Sequence, residues 1–394
     1  MFNLKKVIRP NILTLEPYRC ARDDFKTGIL LDANENTHGP ALAEISATEK
    51  TLELNRYPDP HQLELKQQIV NFRNSSPNKY STIPLSVDNL CLGVGSDESI
   101  DMLLRCCCTP GKDKLLTCPP TYGMYAICAT VNDVETVKVP LTIPDFQIDI
   151  EAVAAKLESD SSIKLVYLTS PGNPTGKLIN VDDIAELLKR VTYSWNGLVV
   201  VDEAYIDFTA PNGEHSQSVS TLVNQYPNLV VLQTLSKSFG LAGIRLGITY
   251  CSTELSKILN SMKYPYNISS LTSDIALKAT SHSGLEVMHK YVQSIVEQRD
   301  ALLKQLLNLK YVGKNIGGLD ANFILVEILD KNGSPSNEVA LKLYNTLAVD
   351  NAVVVRFRGK ELNCIGALRI SVGTEEENKE LLSKFEKVLN EINS

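Results

Sequence analysis

Short apolar runs alternate along residues 90–250 with stretches whose apolar positions recur at helical spacing. NLCLGV, DKLLTC, VETVKVP, KLVYLTS, GLVVVDE, LVVLQTL and IRLGITYC read as strands, and SIDMLLRCCC, IEAVAAKLES and VDDIAELLKRV, between them, read as helices. Upstream, RYPDPHQLELKQQIVNF gives a turn and then a helix that offers Leu63, Leu65, Ile69, Val70 and Phe72 to a core. The alternation predicts an α/β domain on an open sheet. From about Thr272 the pattern changes. A long amphipathic stretch, enough for one or two long helices, precedes the strand NFILVEIL, the helix EVALKLYNTLAV, the strands VVVRF and ALRISV, and a charged terminal helix. Residues 1 to about 40 mix prolines, charges and short apolar groups, which suits an extended arm ending in a short strand and a turn. The expected partition is an arm over 1–40 that also joins the smaller domain, a large domain over 41–271, and a smaller α+β domain over 272–394.

At 394 residues the chain can bury two sizeable cores. Its formal charge of −7, with no long basic run, argues against nucleic acid or an anionic membrane surface as a partner. No apolar run reaches the roughly 18 residues needed to span a bilayer, and MFNLKKVIRPN lacks the apolar core of a secretory signal, so a cytoplasmic location is expected. Of the nine cysteines, three are adjacent at Cys106, Cys107 and Cys108. They read as reduced thiols. No metal is expected, since no cysteine, histidine or carboxylate grouping has ligand spacing.

The chemistry concentrates where strands are expected to end, the side on which open α/β sheets bind ligands. TLSKSFGLAGIRLG follows LVVLQ. Lys237, at the end of a buried strand, loses hydration, which lowers its pKa and frees an amine able to form a Schiff base. Arg245 can fork around an anion nearby. Asp202, Glu203 and Tyr205 follow GLVVV, and a carboxylate in that position needs a cation or a protonated ring nitrogen. KLVYLTS runs into PGNPTG, whose prolines and glycines force a rigid loop that offers the Asn173 amide. GVGSDESID opens a helix at Ser96 and Asp97, where unpaired N–H groups favour a phosphate.

These groups together answer one ligand, pyridoxal 5′-phosphate. Its ring nitrogen must stay protonated to drain electrons from a substrate carbanion, a task that suits Asp202. Asn173 and Tyr205 would bond the phenolic oxygen, and Tyr122, in the turn PPTYG, would stack on the ring. The N–H groups of Ser96 and Asp97, the hydroxyl of Thr234 or Ser236, and Arg245 would hold the phosphate.

SPGNPTG, VVVDEAY and TLSKSFGLAGIRLG, in this order and near this spacing, resemble the fold-type I, class I/II pyridoxal-phosphate aminotransferases. The resemblance runs from LDANEN to ALRISVG. It implies a mostly parallel central sheet in a large domain, a smaller α+β domain formed by both chain ends, and a homodimer with active sites at the subunit interface. Within the class, LEPY, LDANEN with HGP, RYPDP, GVGSDESID and PPTYGMY are similar to the branch that acts on histidinol phosphate in histidine biosynthesis. That likeness implies that Tyr57 reaches the cofactor phosphate of the neighbouring subunit. It also implies that Arg356 and Arg369, helped by Tyr18, take the substrate's phosphate or the carboxylate of glutamate. Asn34 is the arm's further candidate for the substrate, and Arg358 is a rival for the place of Arg356.

Four other readings share parts of this pattern. A decarboxylase of a phosphorylated amino acid would need the same cofactor and anion-binding arginines, and a broad aromatic aminotransferase could use the same pocket for a carboxylate. A nicotinamide-dependent dehydrogenase would use GVGSDE, but Glu98 stands where its loop needs a third glycine. A binding protein without catalysis would not need lysine, aspartate, asparagine, tyrosine and arginine together.

Overall fold

The structure, a computed structural model, describes residues 1–17, 19, 46–210 and 216–394. Tyr18 and Asn34 lie outside the described residues. Seven strands form one sheet: β1 (Leu90–Val94), β2 (Lys114–Thr117), β3 (Glu135–Lys138), β4 (Ile163–Thr169), β5 (Leu198–Asp202), β6 (Leu229–Thr234) and β7 (Leu246–Tyr250). Their spatial order is β1-β7-β6-β5-β4-β2-β3. Strands β2 to β6 pair in parallel, and β7 runs antiparallel to both of its neighbours.

The strand sequences explain this burial. Every residue of β5 and β6 is buried, as in a parallel sheet covered on both faces. Side chains alternate between two cores: Val199, Val201 and Val231 pack on one, while Leu198, Val200, Val230 and Leu232 pack on the other. Helices 63–75, 150–159 and 181–194 close the first core through residues such as Leu65, Ile69, Leu157 and Leu188. Helices 95–107, 124–131 and 253–262 close the second through Ile100, Leu103, Tyr125 and Leu259. Several of these helices begin on side-chain caps, Asp149 accepting from the Ala152 N–H and Asn180 from the Asp182 N–H.

The first residues depart from the expected extended arm. Leu4–Val7 form a helical turn whose Leu4 and Val7, with Ile8, are buried in the second core of the large sheet. The three adjacent cysteines face that same core at the end of helix 95–107, and all eight described cysteines are buried and free. Burial pushes the Cys108 thiol up to about 12, which leaves it protonated and unreactive at neutral pH. The long amphipathic stretch divides into two helices, Ser270–Thr280 and His282–Leu306.

Four further strands, β8 (Val312–Asn315), β9 (Phe323–Ile328), β10 (Arg356–Phe357) and β11 (Ala367–Ser371), form an antiparallel sheet ordered β10-β11-β9-β8. Helices 337–350 and 375–393 and the end of 282–306 cover one of its faces. The expected strand VVVRF is reduced to its last two residues. Val353 is tied by its N–H to the Leu347 carbonyl near the end of the preceding helix, and Ala352 has a left-handed φ of 53°, so the valines make no strand pairing although Val355 is buried in the small sheet's core. Among the described residues no helix is long and apolar enough to cross a membrane.

Phe385, fully buried beneath the small sheet, tests this packing. Phe385→Ala is expected to cost about 3–5 kcal/mol, read as a lower midpoint of urea unfolding. An unchanged midpoint would show that the covering helix adds nothing to stability.

Candidate active site

Strand direction gathers the polar groups. Strands β4, β5 and β6 are parallel, and β1 and β6 both oppose β7, so the carboxyl ends of all four lie along one edge with the start of β7. Thr169 and Asp202 are register partners at this edge, as are Thr234 and Gly247. The resulting cavity, of about 430 Å³, is lined by Ser96, Asp97, Tyr122, Asn173, Asp202, Tyr205, Thr234, Ser236, Lys237 and Arg245 from the large sheet's edge and its following loops. Arg356, Arg358 and Arg369 line it from the small sheet.

Asp202, 3% exposed, forms the floor. Its Oδ2 accepts from the Tyr125 hydroxyl at 2.7 Å and its Oδ1 from the Ala204 N–H at 3.2 Å. Burial pushes its carboxyl up to about 6 against the pull of those donors. The Lys237 amine is held below its ordinary value by burial and then by the positive charges of Arg369 and Arg245. It lies 5.7 Å from the centroid of the Tyr205 ring. Tyr205 in turn packs edge-on against Phe323 of β9, joining the two sheets at the site. Asn173 accepts a hydrogen bond through Oδ1 from Arg369 Nη1, and so the rigid loop after β4 meets the arginine of β11.

On the opposite side of the cavity the backbone makes a cradle. Helix 95–107 starts at Gly95, which has a φ of 75° and donates its N–H to the Arg245 carbonyl at 3.0 Å. A Cβ on Gly95 would come within 2.5 Å of Arg245 Nη2. A Cβ on Gly247 would stand 2.5 Å from the Ser96 nitrogen. Two bare glycines therefore let the helix N-terminus and the guanidinium converge. Arg245 Nη2 lies 3.8 Å from Asp97 Oδ2, and Asp97 Oδ1 accepts from the Tyr122 hydroxyl at 3.2 Å. The Thr234 and Ser236 hydroxyls, 2.8 Å apart, complete this side.

Tyr57 stands apart from the cavity. It is 54% exposed and stacks on Tyr266 with ring centroids 4.6 Å apart. Sequence reasoning passed over Tyr125 and Thr169. The Tyr125 hydroxyl bridges Thr169 Oγ1, at 2.8 Å, and Asp202. Tyr125 sits in the apolar helix MYAICATV, where a tyrosine looks like ordinary core; the useful signal was that a buried phenol requires a polar partner.

The family model for class I and II aminotransferases matches residues 26–385. The chain belongs to that family. A histidinol-phosphate aminotransferase of Candida maltosa is 74% identical over 393 residues, covering 100% of both chains. One from Saccharomyces cerevisiae is 56% identical and covers 99% of this chain and 98% of its own. Among solved structures, a histidinol-phosphate aminotransferase from Sinorhizobium meliloti in complex with pyridoxal-5′-phosphate superposes with a TM-score of 0.74 at 19% identity, covering 91% of this chain and 90% of that one. At that identity it speaks for the fold, which is the fold-type I architecture with its mostly parallel sheet. The family implies pyridoxal phosphate as cofactor.

The Asp202 environment sets a pH dependence. The folded carboxyl keeps its proton up to about pH 6, whereas an unfolded aspartate loses it near pH 4. Between those values the native state binds more protons, so the contribution of Asp202 to stability falls as pH rises through the window. Asp202→Asn is expected to make the cofactor-free protein more stable than the parent at pH 7.5, by about 1–3 kcal/mol, and to give no gain at pH 4. Denaturant unfolding at the two pH values reads this. A variant less stable than the parent at pH 7.5 would mean that the ionised carboxylate is fully compensated.

Proposed function

We propose that this chain is a pyridoxal-phosphate-dependent transaminase of histidine biosynthesis, exchanging the amino group between glutamate and imidazole-acetol phosphate to give 2-oxoglutarate and histidinol phosphate, reversibly and by a ping-pong scheme. The observation that carries the reading is the charge of the cavity. Among the described residues, five basic side chains, Lys237, Arg245, Arg356, Arg358 and Arg369, face two carboxylates, Asp97 and Asp202. The Nε atoms of Arg358 and Arg369 are buried, with no partner among the described residues. A site with that surplus is built for two anionic groups, one at the helix cradle and one beneath the small sheet. The sequence identity, over the full length, to the histidinol-phosphate aminotransferases of Candida maltosa and Saccharomyces cerevisiae supports the same substrate.

The residues present fit the cofactor. Its phosphate would take the Ser96 and Asp97 N–H groups, the Thr234 or Ser236 hydroxyl and the Arg245 fork, at the point where Gly95 and Gly247 leave room for close approach. Asp202 would meet its ring nitrogen, Asn173 and Tyr205 its phenolic oxygen, and Tyr122 its ring face. When bound, pyridoxal phosphate supplies the electron sink that makes the substrate's α-proton labile.

The chain's own residues supply the rest. Lys237, whose amine holds its proton less tightly because of burial and the neighbouring arginines, takes the proton from the α-carbon of the amino donor. In the return half it delivers a proton to the carbonyl carbon of the acceptor. Arg356 and Arg369 orient the remote phosphate or carboxylate, so that one pocket serves both substrates in turn. A homodimer belongs to this reading, with Tyr57 presented to the cofactor of the second subunit, as does a cytoplasmic location.

Two measurements test it. Lys237→Ala should lower turnover by more than about 10³-fold while the variant still binds pyridoxal phosphate. Turnover near the parent's would remove the lysine from its role. In a single-turnover experiment the loaded protein is given glutamate, freed of it, and divided between imidazole-acetol phosphate and phenylpyruvate. Release of 2-oxoglutarate followed by amination of the phosphorylated ketone alone is expected. Equal amination of both would make the enzyme a broad aminotransferase, and release of carbon dioxide in place of 2-oxoglutarate would replace the reading with decarboxylation.

A further inference from the structure

The three arginines that line the cavity from the small sheet are not equivalent. Arg356 pairs with Arg369 across β10 and β11. Arg358 follows directly, its N–H bonded to the Ala367 carbonyl at 2.8 Å, which continues the line of β10 by one residue. Strand alternation therefore puts Arg356 and Arg358 on the same side. They differ in depth. Arg356 is exposed, whereas the Arg358 side chain is 22% exposed and its Nε is wholly buried.

The electrostatics agree with that depth. Burial and then the Arg356 charge hold the Arg358 guanidinium below its ordinary value, with Glu361 and Tyr205 acting the other way. Burial raises the Tyr205 phenol, and Arg369 and Arg358 are the two guanidiniums that ease it. Arg358 lines the same cavity as Tyr205 and Lys237. Its outer end has a weak tether: Nη1 lies 3.6 Å from Glu361 Oε1, longer than a charge-assisted hydrogen bond, and Glu361 is partly exposed. A ligand anion can compete for such a guanidinium.

A carboxylate offers two oxygens and one charge, which a single fork satisfies. A phosphate monoester offers three oxygens and nearly two charges at neutral pH, and one fork leaves part of it bare. Arg369 is already engaged with Asn173 through Nη1 and keeps its Nε free. We propose that Arg358 is a specificity-determining residue which, with Arg369, forms a second fork on a dianionic phosphate and so sets the preference for a phosphorylated ligand over a carboxylate. The proposal rests on the reading above in one respect, that a phosphorylated substrate enters this cavity. It assigns the discrimination to Arg358, while Arg356, exposed at the rim, helps to orient either anion.

The test uses the cofactor-loaded protein, whose cradle at Ser96 and Arg245 is then filled, and inorganic phosphate as an inhibitor of the reaction with glutamate. Arg358→Gln is expected to raise the inhibition constant of phosphate by roughly 10–100-fold, the range for loss of a charge-assisted bond. That rise should exceed the change in KM for glutamate by at least about fivefold, and should exceed the rise caused by Arg356→Gln. Arg358→Lys, which keeps the charge and loses the fork, should fall between parent and Arg358→Gln. Equal losses for phosphate and glutamate, or no loss for phosphate, would overturn the proposal. Should Arg358→Gln fail to fold, Glu361→Gln gives the opposite sign: it frees Arg358 and should tighten phosphate inhibition, and weaker or unchanged inhibition overturns the proposal. Failure of the substrate reading is separable. A parent that aminates phenylpyruvate as well as the phosphorylated ketone loses that reading, while a phosphate-selective loss in Arg358→Gln still upholds this one.

Discussion

The site depends on a carboxylate held in a medium that disfavours its charge. Asp202 sits at the end of a strand buried on both faces, and the donors that reach it are a phenol and one backbone N–H. Neither carries a full charge, so the carboxyl stays poised near neutrality at about 6. A protonated ring nitrogen placed against it would supply the missing cation and relieve the desolvation. The same burial, with the arginines, strips Lys237 of part of its affinity for a proton. One low-dielectric floor therefore gives an acid that wants a cationic partner and an amine that can act as a base.

That floor exists because of strand direction. Parallel strands place their carboxyl ends together, and with them the loops that follow β4, β5 and β6. The reversed strand β7 brings Arg245 back to the same edge from the other direction, and its pairing with β1 sets Gly247 directly opposite Gly93, beside Gly95. The anion cradle is thus a consequence of one antiparallel strand in an otherwise parallel run. Side chains larger than hydrogen at Gly95 or Gly247 would hold the helix start away from the guanidinium.

The large sheet and the residues at its ends were legible because polar groups interrupt apolar runs abruptly. Lys237, Asp202 and Asn173 each follow such a run, and the structure brings all three to one cavity. Tyr125 was not legible, because a phenol within MYAICATV differs from core only by one oxygen whose partner lies 77 residues away. The sequence R-F-R around Phe357 could not rank its two arginines, since period-2 alternation sends both to the same side; depth is set by where β10 ends and by the turn that follows, with the Glu361 N–H bonded to the Arg358 carbonyl. The first turn of chain at Leu4–Val7 was also missed. Four residues give too little periodicity to declare a helix, and its place was fixed by the apolar surface of helix 95–107 and its neighbours.

The loop that carries Lys237 is itself fixed from below. Ser238, the next residue, is buried and donates its hydroxyl to Asp207 Oδ2 at 2.5 Å. Asp207 accepts through Oδ1 from Arg73 Nη1 at 2.7 Å, and Arg73 Nε donates to Gln233 Oε1 at 2.8 Å. Gln233 Nε2 in turn donates to Glu203, the residue after Asp202, at 2.7 Å. A continuous chain of buried bonds therefore runs from the residue beside the lysine to the residue beside the aspartate. Each link leaves little unsatisfied polarity, so the network resists distortion in a way that apolar packing of the same loop would not. Asp207 illustrates the balance: burial alone would raise its carboxyl, and the Arg73 charge and the bonds to Arg73 and Ser238 bring it below the ordinary value instead. The distance between the Lys237 amine and the Asp202 carboxylate is consequently set by hydrogen bonds among residues beneath the cavity.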